Sequence, residues 1–422
     1  MNDVGLVMPI YNQEPELLQI ALNSILRQTY KEVQYVVVID GANSQTRKSV
    51  HEILQSNPEA DVKVIDKPKN EGVSKALNTG FEYLFGQDDI QYFTWASSDN
   101  FYFDCFIEKL REDLVHSPDN VGLVYSSFRH VDTAGNHILN NDLLAFRKFQ
   151  EKPKEKLLDY CYVGTSFMYK KKYAKMIDGY FMEPVEDYEY WLRLTDHCDM
   201  IYIPTELMDY RVDSPKSISA QLHTTQQHRR WRYAFNLAKQ QTRNRRGIPF
   251  ETTVIYPVEA FTSHSITEYE HILEQSYSNY KLIILDLTED ARAVQEFQLI
   301  SDPRVTFFRL PHASLEEALR FGLKAADTPF TLLYGHNSIP IALDSVTILM
   351  DVLALLSQRE QWADAASAYF LRLSPAMPGQ EVFQSNAGPA GYKALSMANQ
   401  PEFGSLYRTD MLKRIVDSNT DH

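Results

Sequence analysis

Residues 4–40, VGLVMPIYNQEPELLQIALNSILRQTYKEVQYVVVID, decide the fold class. Val4 to Met8 is an apolar run of strand length, Glu16 to Arg27 sets Leu17, Leu18, Ala21 and Ile25 on one helical face, and Tyr35 to Ile39 is a second apolar run. Apolar strands without polar alternation are buried on both faces, so strand, helix, strand predicts a parallel βαβ unit. The alternation continues with a strand over Asp61 to Ile65, a helix over Val73 to Phe85 and a strand over Gln91 to Ala96 that ends in Ser97-Ser98-Asp99-Asn100. The expectation is an α/β chain, a mainly parallel Rossmann-like sheet with helices on both faces, whose ligands collect at the carboxyl ends of the strands.

The composition agrees with a globular protein. Of 422 residues, 44% are hydrophobic and 23% charged, with 16 glycines and 19 prolines, which excludes collagen-like, low-complexity and disordered classes. The length suits two domains. A net charge of −14 sets the chain as a whole against nucleic-acid phosphates and anionic bilayers. Cys105, Cys161 and Cys198 form no C-x-x-C pair, so neither a disulfide framework nor a structural zinc site is signalled. The first residues run into a strand without the basic and apolar regions of a secretory signal. The apolar stretch Val346 to Leu356 is interrupted by Asp351 and falls short of the ~20 residues of a membrane span. A cytoplasmic protein is expected, with a peripheral place at the membrane or at a developing envelope or spore layer left open.

Between His223 and Gly247 the charge reverses, with seven Lys or Arg residues and no acid. This segment reads as a basic helical linker packed on the acidic body, or alternatively as a contact for an anionic acceptor or membrane surface. After it the chain repeats itself. Ser24-Ile25-Leu26-Arg27-Gln28-Thr29-Tyr30 is echoed by His271-Ile272-Leu273-Glu274-Gln275-Ser276-Tyr277, and Val7-Met8-Pro9 by Ile255-Tyr256-Pro257. The expected organisation is a catalytic domain over 1–222, a linker over 223–248 and a degenerate copy over 249–422.

Four groups in the first half could carry chemistry. Pro9-Ile10-Tyr11-Asn12 and Asp40-Gly41 lie at strand ends, where a carboxylate can accept from a base N–H and Tyr11 can stack on a ring; Asp40-Gly41 also reads as a plain turn. Asn70-Glu71-Gly72-Val73-Ser74-Lys75 opens a helix with a glycine for close approach and a cation, but is no P-loop or dinucleotide fingerprint. Ser97-Ser98-Asp99-Asn100 offers oxygen ligands to Mg²⁺ or Mn²⁺, or an Asx-turn. Glu186-Asp187 before an aromatic helical run can place a general base, or can simply pair with the helix dipole.

In this order the motifs resemble the family 2 glycosyltransferases of the GT-A fold, across about residues 4 to 220. The resemblance implies an inverting transfer of a hexosyl group from a nucleoside-diphosphate sugar, foremost a UDP-sugar, to a saccharide, lipid or protein acceptor, as in bacterial polysaccharide biosynthesis. It implies donor contacts at Pro9, Tyr11, Asn12, Asp40, Gly72, Lys75, Ser97 and Ser98, and Asp187 as base with Glu186 beside it. It places Gly164, Thr165 and Trp191 on the acceptor side, and Mn²⁺ or Mg²⁺ at Asp99 and Asp213. Ser97 and Ser98 depart from the acidic metal motif of the family. The second half has His336 where Asp99 would stand and Leu287 where Asp40 would, with Asp286 next to it, so it is expected to be a smaller GT-A-like domain without activity. A homodimer and, as an alternative function, an inactive nucleotide-sugar-binding scaffold complete the expectations.

Overall fold

The structure is a computed structural model that describes residues 2–212, 214, 224–339, 341–357, 370–374, 382–385 and 401–418. It divides into two units, Met1–Thr242 and Arg243–His422.

The first unit opens with β1 (Val4–Ile10), α1 (Pro15–Leu26), β2 (Val33–Asp40), α2 (Ser44–Gln55), β3 (Val62–Lys67), α3 (Val73–Phe85) and β4 (Tyr92–Trp95). It continues through β5 (Phe101–Tyr102), α4 (Phe106–His116), β6 (Val121–Val131), β7 (His137–Ile138), α5 (Asn141–Gln150), β8 (Phe167–Lys170), α6 (Lys171–Ala174), α7 (Glu186–Leu194) and β9 (Asp199–Arg211). The helix α8 (Thr225–Arg246) follows. The sheet runs β3-β2-β1-β4-β8-β6-β9-β5, with β7 on the side of β6. β1 to β4 are parallel, and β8 enters antiparallel between β4 and β6.

Strand alternation explains why helices cover both faces. Leu6, Met8, Val37 and Ile39 pack with Leu18, Leu22 and Ile25 of α1 on one face, while Val7, Val36 and Val38 pack with Leu77 and Phe81 of α3 on the other. Gly80 lets α3 approach the sheet, since a Cβ there would lie 2.5 Å from Val7 Cγ1.

The basic segment is buried in part, with Arg230 and Arg245 exposed. It forms α8, in which Arg232, Lys239 and Arg243 are buried, and through Thr242 it belongs to the first unit. Lys239 Nζ donates to the carbonyl of Asp159 at 3.1 Å and lies 4.2 Å from the Phe235 ring. Phe235 in turn stacks on Tyr188 of α7 at 4.3 Å, so the helix supports the acidic pair that opens α7.

The second unit repeats the plan in fewer strands: β10 (Thr252–Val258), α9 (Ser265–Leu273), β11 (Tyr280–Asp286), α10 (Arg292–Phe297), β12 (Val305–Arg309), α11 (Leu315–Ala325), β13 (Phe330–Leu333) and α12 (Ser345–Ser357). β14 (Phe370–Ser374), β15 (Val382–Ser385), β16 (Ser405–Arg408) and α13 (Thr409–Ser418) complete it. Its order is β12-β11-β10-β13-β16-β14-β15, with β16 antiparallel to β13 as β8 is to β4. Register fixes the correspondence. Ile10 pairs with Ile39 and Val258 with Asp286, so the residue after each pair is Asp40 in one unit and Leu287 in the other. The α/β class with a second, smaller sheet expected from the sequence is the class observed.

Candidate active site

The carboxyl ends of β1, β2 and β4 open to the same end of the first sheet. Because β8 runs antiparallel to β4, the segment before it, Gly164-Thr165-Ser166, arrives at that same end; Thr94 Oγ1 donates to the carbonyl of Phe167 at 2.6 Å. Four chain segments distant in sequence therefore share one edge.

At β1 the Tyr11 ring is 49% exposed and free to stack on a flat ligand. Asn12, at φ +30°, uses Oδ1 to accept from the backbone N–H of Asn43 at 2.7 Å, and Asn43 caps α2 through Thr46 N. Asn12 thus fixes the turn after β1 to the turn after β2. Gln13, which the sequence did not single out, is buried and donates from Nε2 to Ser98 Oγ at 3.2 Å.

Asp40 is buried and heavily engaged. Its carboxylate accepts from the backbone N–H groups of Glu71 at 3.1 Å and Gly72 at 3.0 Å, and pairs with Lys67 Nζ at 2.8 Å. Lys67 also reaches Glu71 at 2.9 Å. A carboxylate with three partners has little acceptor capacity left for a base, so in this conformation Asp40 organises the 67–72 loop.

The start of α3 is likewise occupied, by Glu183. Its Oε1 accepts from Ser74 N at 2.9 Å. Gly72, at φ +95°, makes room for this carboxylate, since a Cβ there would lie 2.7 Å from Glu183 Oε1. The helix N-terminus attracts an anion, as the sequence implied, and the anion it holds is a side chain. Lys75, by contrast, is exposed and reaches only Glu71, at 3.9 Å.

At the end of β4, Ser97 Oγ donates to Asp99 Oδ1 at 2.5 Å and Ser97 N donates to Tyr102 Oη at 2.8 Å. Arg211 locks this turn from the far strand: its N–H donates to Asn100 Oδ1 at 3.0 Å and its Nε to the Asp99 carbonyl at 3.3 Å. The second carboxylate oxygen of Asp99 and the Ser97 hydroxyl form an all-oxygen donor set suited to Mg²⁺ or Mn²⁺, ions that take few protein ligands beside substrate phosphates. Among the described residues no group of three His, Cys, Asp or Glu forms a metal cluster. The other expected ligand, Asp213, lies outside the described residues.

The acidic pair begins α7. Asp187, half-buried, accepts from its neighbour Tyr188 N at 2.6 Å. Glu186 is 7% exposed and its Oε2 has no hydrogen-bond partner among the described residues. Burial first, then the charge of Asp187 and of Glu183, push the Glu186 carboxyl up to about 8. Burial raises Asp187 as well, against the opposing pull of the Tyr188 N–H. Burial raises the thiol of Cys161 well above its ordinary value, and the Asp187 charge adds to it.

Trp191, expected on the acceptor side, is instead wholly buried. Its ring packs edge-on to Phe167 at 4.4 Å, so it anchors α7 to β8 and faces no acceptor. Arg193 does similar work, clasping Glu189 at 2.6 Å and the carbonyls of Asp178 and Gly179. Thr165 and Gly164 remain partly accessible. Glu183 and Lys67 were missed by sequence reading because they act on Ser74 and Asp40, more than 25 residues away.

Residues 6–177 match the family model described as Glycosyl transferase family 2. An uncharacterized glycosyltransferase of Rickettsia bellii (strain RML369-C) is 22% identical over 81% of this chain and 55% of its own length. Glycosyltransferase GlyA of Streptococcus pneumoniae serotype 4 is 32% identical over 26% of this chain and 15% of its own. The chain spans between half and two thirds of the Rickettsia relatives, 55% of one and 59% of another. Among solved structures, the chain is similar to mannosyltransferase PcManGT from Pyrobaculum calidifontis in complex with GDP-Man and Mn²⁺, at TM-score 0.44 and 14% identity over 76% of this chain and 79% of that one. It is also similar to S. aureus TarS 1-349, at TM-score 0.41 and 14% identity over 56% and 65%. No helix among the described residues is long and apolar enough to cross a membrane.

Proposed function

We propose that the first unit, whose residues 6–177 match the Glycosyl transferase family 2 model, moves a sugar from a nucleoside-diphosphate sugar, foremost a UDP-sugar, to an acceptor hydroxyl with inversion. The observation that carries this reading is the Glu186–Asp187 pair in the first turn of α7, with Glu186 buried and its Oε2 without a hydrogen-bond partner among the described residues.

Two adjacent buried carboxyls do not both ionise readily, so they divide the work. Glu186, raised to about 8, keeps its proton at neutral pH, which leaves Asp187 as the ionised member. Asp187 takes the acceptor hydroxyl proton while the acceptor oxygen bonds to the anomeric carbon and the bond from that carbon to the diphosphate oxygen breaks. Its elevated affinity for a proton makes it a stronger base than an ordinary carboxylate. Tyr11 stacks on the nucleobase beside Pro9, and Ser97 and Ser98 line the path to the diphosphate. Asp99 would hold Mn²⁺ or Mg²⁺, which when bound offsets charge on the leaving nucleotide. Gly164 and Thr165 border the acceptor.

Asp187→Asn tests the assignment. Transfer, followed as release of nucleoside diphosphate, should fall by ~10²–10⁴ while circular dichroism and the unfolding midpoint stay near those of the parent protein. A folded variant with near-parental turnover removes Asp187 from the base role.

One observation favours a second reading, an inactive nucleotide-sugar-binding scaffold: serines stand at 97 and 98, and Asp40 and the α3 N-terminus already have protein partners. Turnover of any activated sugar that vanishes in Asp187→Asn excludes it.

A further inference from the structure

The second unit keeps a cleft of about 570 Å³ at the carboxyl ends of β10 and β13, in the place that holds the candidate active site of the first unit. Its walls include Pro257, Glu259, His264, Glu268, His336 and Phe403. We propose that this cleft binds an uncharged saccharide and is closed to nucleoside diphosphates.

Three features exclude the nucleotide. Asp286, adjacent to the counterpart of Asp40, is consumed locally: it accepts from Thr288 N at 2.8 Å, Thr288 Oγ1 at 2.6 Å and Val294 N at 3.0 Å. The start of α11 is closed by its own capping box, Ser314 Oγ accepting from Glu317 N at 3.2 Å while Glu317 accepts from Ser314 N at 2.8 Å. Among the described residues that line the cleft there are two carboxylates and no lysine or arginine, so no permanent cation offsets the like charge that a diphosphate brought into it meets.

The same walls suit a sugar. Glu268 is held from two sides, accepting from Tyr256 Oη at 3.2 Å and pairing with His336 Nδ1, so one carboxylate is oriented at the floor. His336 Nε2 meets Asn337 Nδ2 at 3.0 Å, and the His264 ring lies 6.5 Å away. Carboxylates accept from vicinal hydroxyls, imidazoles serve as donors or acceptors, and the half-buried Phe403 offers a ring face for the apolar side of a pyranose. The volume falls in the range of small-ligand sites, ~300–1,000 Å³. Among the described residues no cluster suits a metal ion instead.

That the ligand is a glycan rests on the glycosyl-transfer reading; the charge argument does not. The test is saturation-transfer NMR on the full chain with a panel of neutral trisaccharides of glucose, galactose, mannose and N-acetylglucosamine, and with UDP and GDP as competitors. At least one trisaccharide should bind, survive Asp99→Ala and saturating UDP within about twofold, and weaken at least about tenfold in both Phe403→Ala and the near-isosteric Glu268→Gln. No binding by any trisaccharide overturns the proposal, as does binding unaffected by both second-unit variants when they fold normally. Nucleotide binding that Glu268→Gln alters overturns it too. Failure of the transferase reading shows separately, as absent donor turnover by a chain that still binds the trisaccharide.

Discussion

Replacing Glu186 by glutamine should make the first unit more stable at neutral and alkaline pH and leave it nearly unchanged at pH 5. The carboxyl is 7% exposed, its Oε2 has no hydrogen-bond partner among the described residues, and its folded-state affinity for a proton is raised from 4.5 to about 8. A carboxyl raised in this way favours the folded state while protonated, so its contribution is complete below pH 4.5 and drains away as pH rises toward 8. At about 1.4 kcal/mol per pH unit, and with the ends of the titration rounded off, the loss between pH 5 and pH 8 is on the order of 3 kcal/mol. Glutamine keeps the shape of the neutral acid and cannot ionise, so the variant escapes that loss. Urea unfolding at the two pH values, read by tryptophan emission, measures the difference; three of the four tryptophans, Trp95, Trp191 and Trp231, lie in the first unit. The stability gap between variant and parent should widen by several kcal/mol from pH 5 to pH 8. An unchanged gap would refute the claim that burial holds a proton on Glu186. Asp187→Asn separates the two causes, because removing the neighbouring charge should shrink the pH dependence while burial maintains part of it.

Two further substitutions probe the donor side. Gly72→Ala forces a Cβ into a backbone at φ +95° and against the Glu183 carboxylate, so the first unit should lose ~1–3 kcal/mol in urea unfolding; Glu183→Ala in the same chain should recover only part of it, because the backbone strain remains. Asp99→Ala should weaken manganese-dependent binding of UDP at least about tenfold in calorimetric titration while nucleotide binding without metal stays weak in both proteins. Equal manganese-dependent affinities would dissociate Asp99 from the metal.

The sheet was legible because its strands carry their burial in their composition. Val4 to Met8 and Tyr35 to Ile39 are apolar on both faces, as strands of a covered parallel sheet are. The strand-end motifs were legible for the same reason, since polar residues directly after such runs must lie at the sheet's edge. What failed was the step from position to partner. Trp191 sits one helical turn from Asp187 and reads like part of the site, but the side of α7 that carries it faces β8, a fact fixed by the antiparallel entry of that strand. The basic run of α8 reads as a helix packed on the body without showing which residues pack: Lys239 is buried against Phe235 and the Asp159 carbonyl, where its long aliphatic stem fills space.

The two units show why such partners escape sequence reading, and what they decide. In the first, Asp40 and the start of α3 are satisfied at a distance, by the backbone of residues 71 and 72 and by Glu183, 109 residues from Ser74. In the second, Asp286, next to the counterpart of Asp40, and the start of α11 are satisfied within eight residues, by Thr288 and Val294 and by a capping box. A polar group with a local partner is closed in every conformation its own turn survives. One held by a distant segment can exchange that partner for a ligand when the segment moves, at the cost of the same few hydrogen bonds. The Glu183 carboxylate at the start of α3 therefore occupies a position that an incoming anion can compete for, whereas the start of α11 is closed by its own capping box.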